Sequence, residues 1–215
     1  ANMDISGATE RVLVAGDSNP GHIRCAPGGV ARNVADNLAR LGNDTRLITA
    51  VGDDLYGRSL LESTQKAGVD VQGCWVLAGE STSTYLSLHG PDGDMAVAVN
   101  DMRILERITP ERLAANTDRV RHAAAMVVDC NLMPDALAWL FAQRQTTPVF
   151  VDCVSAFKCQ RILPWLGQVH TLKVNRLEAQ ALCGSPVGTD AAVEQAARLL
   201  HAQGVQQVIV SLGER

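Results

Sequence analysis

Apolar residues recur along this chain with two different periods, and their succession predicts the fold. Helix-like spacing alternates with short apolar runs that are typical of buried strands. The predicted helices cover residues 27–42, 55–67, 135–144, 176–183 and 191–202, and the predicted strands cover 45–51, 71–77, 125–128, 149–151, 171–174 and the first part of 206–215. Apolar strands between helices indicate a largely parallel sheet covered on both faces.

One segment departs from this pattern. Residues 84–88 and 95–99 alternate between apolar and polar side chains, and the turn sequence Gly90-Pro91-Asp92-Gly93 lies between them. Such alternation around a Gly/Pro/Asp turn predicts a β-hairpin with one face that is wet or covers a ligand. We interpret it as a lid, contributed mainly by residues 71–102.

The sequence at each end is typical of a domain that has been truncated. Residues 1–4 are typical of the tail of a strand, and the chain stops directly after an apolar strand that would need a covering helix. The interpretation is one partial α/β domain over residues 1–215, truncated at both ends.

Composition and charge exclude several classes of partner. The formal net charge is −4 without a Lys/Arg cluster, which argues against a nucleic acid or an anionic membrane surface. No apolar run is long enough for a membrane span, and no signal-peptide pattern is present. Six cysteines without a Cys-x-x-Cys pair indicate buried thiols in a reducing cytoplasm, with no metal site.

Two glycines stand where a helix is predicted to begin. Gly28 and Gly29 weaken a helix start unless a turn or a close ligand needs a bare backbone, and Asn33 follows one turn later. Either a simple turn or a site for ligand hydroxyls fits this pattern. Asp4, at the end of the first predicted strand, is either a solvated loop residue or a ligand contact.

Two further motifs follow predicted strands near the end of the chain. Asn175 and Glu178 are three residues apart at a helix start, which fits a helix-capping pair and equally fits a site for phosphate and hydrated Mg²⁺. Ser211 and Gly213 form either an ordinary turn or a surface that lies beneath a bound nucleotide. Neither a Gly-x-x-x-x-Gly-Lys-Ser/Thr loop nor a Gly-x-Gly-x-x-Gly motif is present.

The order of these motifs resembles the ribokinase-like (PfkB) family of sugar and nucleoside kinases. The resemblance rests on "GGVARNVADNLARLG", "AVGDDLYG", "NRLE" and "SLGE", and it covers nearly the whole chain. Finer runs, "DSNPG", "STSTYLSL", "VNDM", "VVDCN", "VFVDCVSAFKC" and "HTLKVNRLEA", resemble one nucleoside kinase of that family. Cys153 departs from it, because a proline is expected there. The resemblance implies a three-layer αβα sandwich with a mainly parallel central sheet and a small β-hairpin lid.

The resemblance also implies roles for individual residues. Asp4, Gly28, Gly29 and Asn33 would hold the sugar, and Glu178 would contact Mg²⁺ through water. The candidates for further base or sugar contacts are Ser18, Tyr85, Asn100, Asp101, Asn131 and Lys158, and those for ATP are Asn175, Ser211 and Gly213. A monovalent cation and a homodimer formed through the lid are further expectations from the family.

The family's catalytic aspartate, in a Gly-Ala-Gly-Asp motif, does not occur in this sequence. We expect it beyond Arg215, so the 215-residue chain alone is expected to be inactive. The complete enzyme would transfer the γ-phosphate of ATP to the 5′-hydroxyl of a C-nucleoside. The alternatives are a kinase for ribose or another nucleoside, and a nucleoside-binding protein without catalysis.

Overall fold

The computed structural model describes residues 1–213, which fall into two compact units divided after Arg107. Each unit is described by itself below. The prediction of one partial domain with a lid stays a prediction.

The first unit contains a four-stranded sheet with the order β2-β1-β5-β6. Its strands are β1 (Asn2–Thr9), β2 (Gly21–Gly28), β5 (Thr84–His89) and β6 (Met95–Asp101). Strand β1 pairs antiparallel with β2 and parallel with β5, and β5 pairs antiparallel with β6. The predicted hairpin is therefore confirmed, but it is only half of a sheet that also includes β1 and β2.

The start of the chain differs from the prediction. Residues 1–4 were interpreted as the tail of a strand, whereas β1 begins at Asn2 and runs forward to Thr9, which places Asp4 inside the strand. Strand β2 was not predicted because it is an edge strand whose residues 21–26 are exposed on both faces, so no apolar alternation marks it.

The remainder of the first unit packs against this sheet. Helices α1 (Val30–Arg40) and α2 (Leu55–Lys66) alternate with short parallel strands β3 (Ala50–Gly52) and β4 (Trp75–Leu77). The predicted strands 45–51 and 71–77 are shorter than expected, and only a bridge between Arg46 and Asp70 extends their pairing. Met3 of β1 packs with Val51 and Leu60 in one buried cluster.

The second unit is an α/β arrangement around a fully parallel sheet. Its sheet has the order β10-β9-β8-β7. The elements in chain order are α3 (Pro110–Leu113), α4 (Thr117–Arg121), β7 (Met126–Asp129), α5 (Pro134–Gln143), β8 (Val149–Asp152), β9 (Thr171–Asn175), α6 (Arg176–Cys183), α7 (Asp190–Ala202) and β10 (Gln207–Ser211). The predictions for these strands and for α5, α6 and α7 are confirmed to within one residue or two at each end.

Polar residues collect at one edge of the second sheet. Parallel strands place their carboxyl ends on the same side, and the four strands end at Asp129, Asp152, Asn175 and Ser211. A 3₁₀ segment, Lys158–Gln168, follows β8. Within residues 1–213, no helix combines the length and apolar character that crossing a bilayer requires.

Candidate functional sites

The sheet of the first unit has one polar and one apolar face. Strand register aligns Ala26, Asp4, Tyr85 and Asn100 in one row across all four strands. Directly paired residues point to the same face, so Asp4, Tyr85 and Asn100 share the polar face. The sequence predicted these three as ligand contacts, and the register brings them together.

Asp4 is held in place by its neighbours on this face. The Asn2 amide donates a hydrogen bond to Asp4 Oδ1, and the Asp4 carboxylate lies against the bare Cα of Gly28. A Cβ at Gly28 would overlap that carboxylate, so the first glycine is required by a contact within the chain. Gly29 has a φ of 99°, and a Cβ there would lie 2.7 Å from Ala1 Cα.

Arg32 is a residue of this region that sequence reasoning missed. It is only 6% exposed, and its guanidinium donates to the carbonyls of Pro27 and Gly28 at 3.2 Å each. It also forms an ion pair with Asp36 at 3.2 Å and donates to Asn33 Oδ1. Arg32 thus fixes the glycine turn and orients the exposed Asn33 side chain.

Two of the predicted contacts, Asp101 and Ser18, are not in the row of Asp4. Asp101 pairs with Thr84, so it alternates to the face opposite Asn100, and it binds Arg103 through bonds of 2.9 and 2.6 Å. The hydrogen bonds from Arg103 lower the pKa of Asp101 to about 2. Ser18 is exposed in the loop that follows the Thr9–Gly21 end of the hairpin, and Thr9 itself lies five strand residues, about 17 Å, along β1 from Asp4.

In the second unit, the structure joins Asn131 and Lys158 directly. Lys158 Nζ donates to Asn131 Oδ1 at 2.6 Å. Arg161, three residues later on the same 3₁₀ segment, donates through Nη1 to the carbonyls of Cys130, Asn131 and Leu132 at 2.9 to 3.2 Å. Because a 3₁₀ helix has three residues per turn, Lys158 and Arg161 lie on the same side of the segment and together hold this loop.

The Lys158–Asn131 pair is half-buried, and each of its residues is next in sequence to a buried cysteine. Burial, and then the charge of Arg161, lower the pKa of Lys158, although Asp129 opposes the shift. Cys130, Cys153 and Cys159 are all buried. A hydrogen bond with Cys130, and then burial, raise the pKa of Cys153, and burial raises that of Cys159 to about 11. The prediction of buried thiols holds for these three cysteines, whereas Cys25 is exposed and Cys74 and Cys183 are half-buried.

At the end of β9, Asn175 and Glu178 form a complete capping box. Asn175 Oδ1 accepts from the Glu178 backbone at 2.9 Å, and Glu178 Oε2 accepts from the Asn175 backbone at 2.8 Å. Glu178 is buried. The capping interpretation of this motif is therefore confirmed, and it explains why α6 begins where the sequence predicts.

The capping box is compatible with a ligand at the same place. It engages Asn175 through its oxygen and Glu178 through one carboxylate oxygen. Asn175 Nδ2 then remains as a donor suited to phosphate, and Glu178 Oε1 as an acceptor suited to a Mg²⁺-bound water. Among the described residues, no group of three or more His, Cys, Asp or Glu side chains could hold a metal ion. A Mg²⁺ ion here would keep most of its waters, as that ion commonly does.

The last strand completes this edge. Ser211 pairs with Asn175, and its hydroxyl donates to the carbonyl of Val174 at 3.3 Å. Gly213 follows with a φ of 77°, which leaves its backbone accessible in a left-handed turn. On the neighbouring strands, Lys173 forms an ion pair with Asp152 at 3.2 Å.

Comparison with known proteins identifies the class to which the chain belongs. The sequence matches the pfkB family of carbohydrate kinases over residues 1–215, and the chain belongs to that family. The fold is likewise that of the ribokinases. The ribokinase of Arabidopsis thaliana, solved with ribose and ATP, superposes with a TM-score of 0.83 at 22% identity, over 99% of this chain and 69% of that one.

Two curated relatives from Escherichia coli strain K12 are similar to the chain at 46% identity. One is the pseudouridine kinase, matched over 99% of this chain and 68% of its own length. The other is the uncharacterized sugar kinase YeiI, matched over 98% of this chain. The chain spans 58% of the length of that second relative.

Proposed function

We propose that the full-length protein phosphorylates the 5′-hydroxyl of pseudouridine with ATP. The observation that carries this proposal is the bond between Lys158 and Asn131. Because Asn131 Oδ1 already accepts from Lys158, the amide presents its N–H₂ group to a ligand, next to an ammonium. Two donors side by side suit the carbonyl oxygens of a uracil-type base. The 46% identity to a pseudouridine kinase supports the same substrate.

In this proposal the first unit binds the sugar. Asp4 accepts hydrogen bonds from ribose hydroxyls, and the turn at Gly28 and Gly29 together with Asn33 supports the same group. Tyr85 and Asn100 contribute from the row of Asp4. Asp101, which binds Arg103, and Ser18, in the loop beyond the hairpin end, stay predictions as substrate contacts.

The second unit binds the nucleotide. Asn175 Nδ2 and the turn from Ser211 to Gly213 contact ATP, and Glu178 contacts Mg²⁺ through water. Bound Mg²⁺ supplies charge neutralisation at the phosphates during transfer. A requirement for a monovalent cation, the position of the catalytic aspartate beyond Arg215 and action in the cytoplasm also stay predictions.

The test compares acceptors in the full-length enzyme with MgATP in excess. The expected order of kcat/KM is pseudouridine first, then uridine, then ribose. YeiI is as similar as the pseudouridine kinase, so the panel includes other nucleosides and hexoses. A higher kcat/KM for ribose or a hexose would replace the pseudouridine assignment. Nucleoside binding by calorimetry without any phosphorylation would support a non-catalytic binding protein instead.

We further propose a homodimer through the apolar face of the first sheet. Ile23, Leu86, Val97 and Val99 alternate onto the face opposite Asp4, and Ile23 and Val99 are 77% and 62% exposed. An apolar patch of this kind on a sheet is typical of an association surface. Val99→Lys should convert dimer to monomer in sedimentation velocity, whereas Val76→Lys, an exposed valine on β4, should not. A monomeric wild-type protein would contradict this proposal.

A further inference from the structure

Ser83 carries a buried hydroxyl without a partner. The residue is 1% exposed, and in the described part of the chain its Oγ is the one buried side-chain oxygen or nitrogen that makes no hydrogen bond. Leaving such a group unsatisfied costs free energy, which is why buried hydroxyls nearly always have partners. An orphaned group of this kind in a folded protein calls for a physical explanation.

The neighbouring hydroxyls are all satisfied. Thr82 Oγ1 donates to Asp54 Oδ1 at 2.7 Å, and the Thr82 backbone donates to Asp54 Oδ2 at 2.8 Å. Thr84 Oγ1 donates to the Thr82 carbonyl at 3.1 Å. Burial raises the pKa of Asp54, but the hydrogen bonds from Thr82 and Gly57 outweigh it and leave that pKa below its usual value. The polar groups of Thr82, Thr84 and Asp54 are therefore hydrogen-bonded, whereas the Ser83 hydroxyl has no partner.

The position of Ser83 explains where its partner would come from. The Met3 N–H donates to the Ser83 carbonyl at 2.8 Å, which joins Ser83 to the ladder between β1 and β5. Ser83 directly precedes β5, and continuing the alternation of that strand by one residue places Ser83 on the face of Tyr85, one step before the row of Asp4. This is the face that holds the proposed sugar contacts.

We infer that Ser83 is a further substrate contact, and that its hydroxyl bonds a sugar hydroxyl of the bound nucleoside. The inference rests on the proposed function and extends it by one residue. A group that is unsatisfied in the free protein and satisfied in the complex adds its hydrogen bond to affinity without contributing to stability. Ser83 should therefore affect binding and stability in opposite ways.

The test removes this hydroxyl in the full-length protein. Ser83→Ala should raise KM for the nucleoside about tenfold, which corresponds to one lost hydrogen bond, and leave KM for ATP unchanged. The melting temperature without ligand should stay the same or rise, because an unsatisfied group is gone. Thr64→Val is the matched control, since the buried Thr64 hydroxyl donates to the Leu60 carbonyl at 2.7 Å. It should lower the melting temperature and leave KM for the nucleoside unchanged.

Three results would overturn the inference. If Ser83→Ala binds nucleoside as tightly as the wild type, the hydroxyl is not a ligand contact, although the proposed function would stand. If Ser83→Ala lowers the melting temperature with unchanged affinity, the hydroxyl has a structural partner such as a buried water. If the wild-type protein binds no nucleoside in calorimetry, the proposed function fails and this inference fails with it.

Discussion

The two units build their polar clusters in different parts of a β-sheet. In the first unit, Asp4, Tyr85 and Asn100 lie within strands and meet because of strand register. In the second, Asn175 and Ser211 lie where parallel strands end. A strand-end cluster tolerates changes in the loops around it, whereas a cluster within strands depends on close packing between backbones. The first cluster should therefore be the more sensitive of the two to small steric changes.

The largest loss of nucleoside affinity should come from a single added methyl group. In Gly28→Ala, the new Cβ overlaps the Asp4 carboxylate, which must move. We expect nucleoside affinity to fall about a hundredfold, because a charged group loses its hydrogen bonds to the sugar. The measurement is calorimetry on the full-length protein with nucleoside and, separately, with ATP.

The control for this prediction lies in the other unit. A Cβ at Gly188 meets no atom within 4 Å, and its φ is not in the left-handed region, so Gly188→Ala should leave both affinities unchanged. Asp4→Ala should reproduce the loss of nucleoside affinity and spare ATP affinity. Normal nucleoside binding by Gly28→Ala, or equal loss of both ligands in Asp4→Ala, would contradict the role of the Asp4–Gly28 contact.

A smaller effect is expected at Lys158. Lys158→Met should weaken pseudouridine binding about tenfold and leave ribose binding unchanged, because only the base meets this side chain. The ammonium donates only while it is protonated, and the pKa of Lys158 is lowered by burial and by Arg161. Wild-type affinity should therefore decline with rising pH before the usual lysine pKa of 10.5 is reached.

The variant also provides the check on this pH dependence. Affinity of Lys158→Met should fall less with pH than that of the wild type over this alkaline range, in which the uracil-type base also loses its N3 proton. An equal fall in the variant and the wild type would contradict a contact between Lys158 and the base. Arg161→Lys is a useful companion, since it keeps the positive charge but its shorter side chain ends one atom before the position of Nη1, which donates to all three carbonyls of the loop.

The smallest effect is expected at Glu178, on the binding of Mg²⁺. Two substitutions there distinguish the role of Glu178 in the capping box from its role at the metal. Glu178→Gln keeps an oxygen for the Asn175 N–H and so keeps the capping box, but it removes the charge. Its melting temperature should change little, while the Mg²⁺ concentration for half-maximal activity rises a few-fold and turnover falls. Glu178→Ala should lose about 1 kcal/mol of stability as well. An unchanged Mg²⁺ requirement in Glu178→Gln would remove Glu178 from the metal site.

The sequence predicts the second unit better than the first for physical reasons. Helix α6 was predicted over its full length, and the capping pair of Asn175 and Glu178 is a local signal for its start, while the structure ends it at Gly184 in the left-handed conformation. Strand β2 could not be recognised, since an exposed edge strand owes its structure to pairing with β1 and carries no pattern of its own.

The same contrast holds for individual side chains. Asn131 and Lys158 follow buried strands, which is where ligand contacts are expected in parallel sheets. Arg32 could not be recognised as buried, because its burial depends on carbonyls of a turn that the sequence does not define. Ser83 is similar: only its position directly before β5 and its bond to Met3 indicate which face it joins.

The central position of β1 in its sheet has a consequence for folding kinetics. Its antiparallel neighbour β2 is close in sequence, but its parallel neighbour β5 pairs Met3 with Thr84. Closing a loop of that length is entropically costly and slow, whereas β8 and β9 pair over a much shorter separation. Refolding should therefore restore the second sheet before the first, so the surface that holds Asp4 is among the last parts of the chain to form.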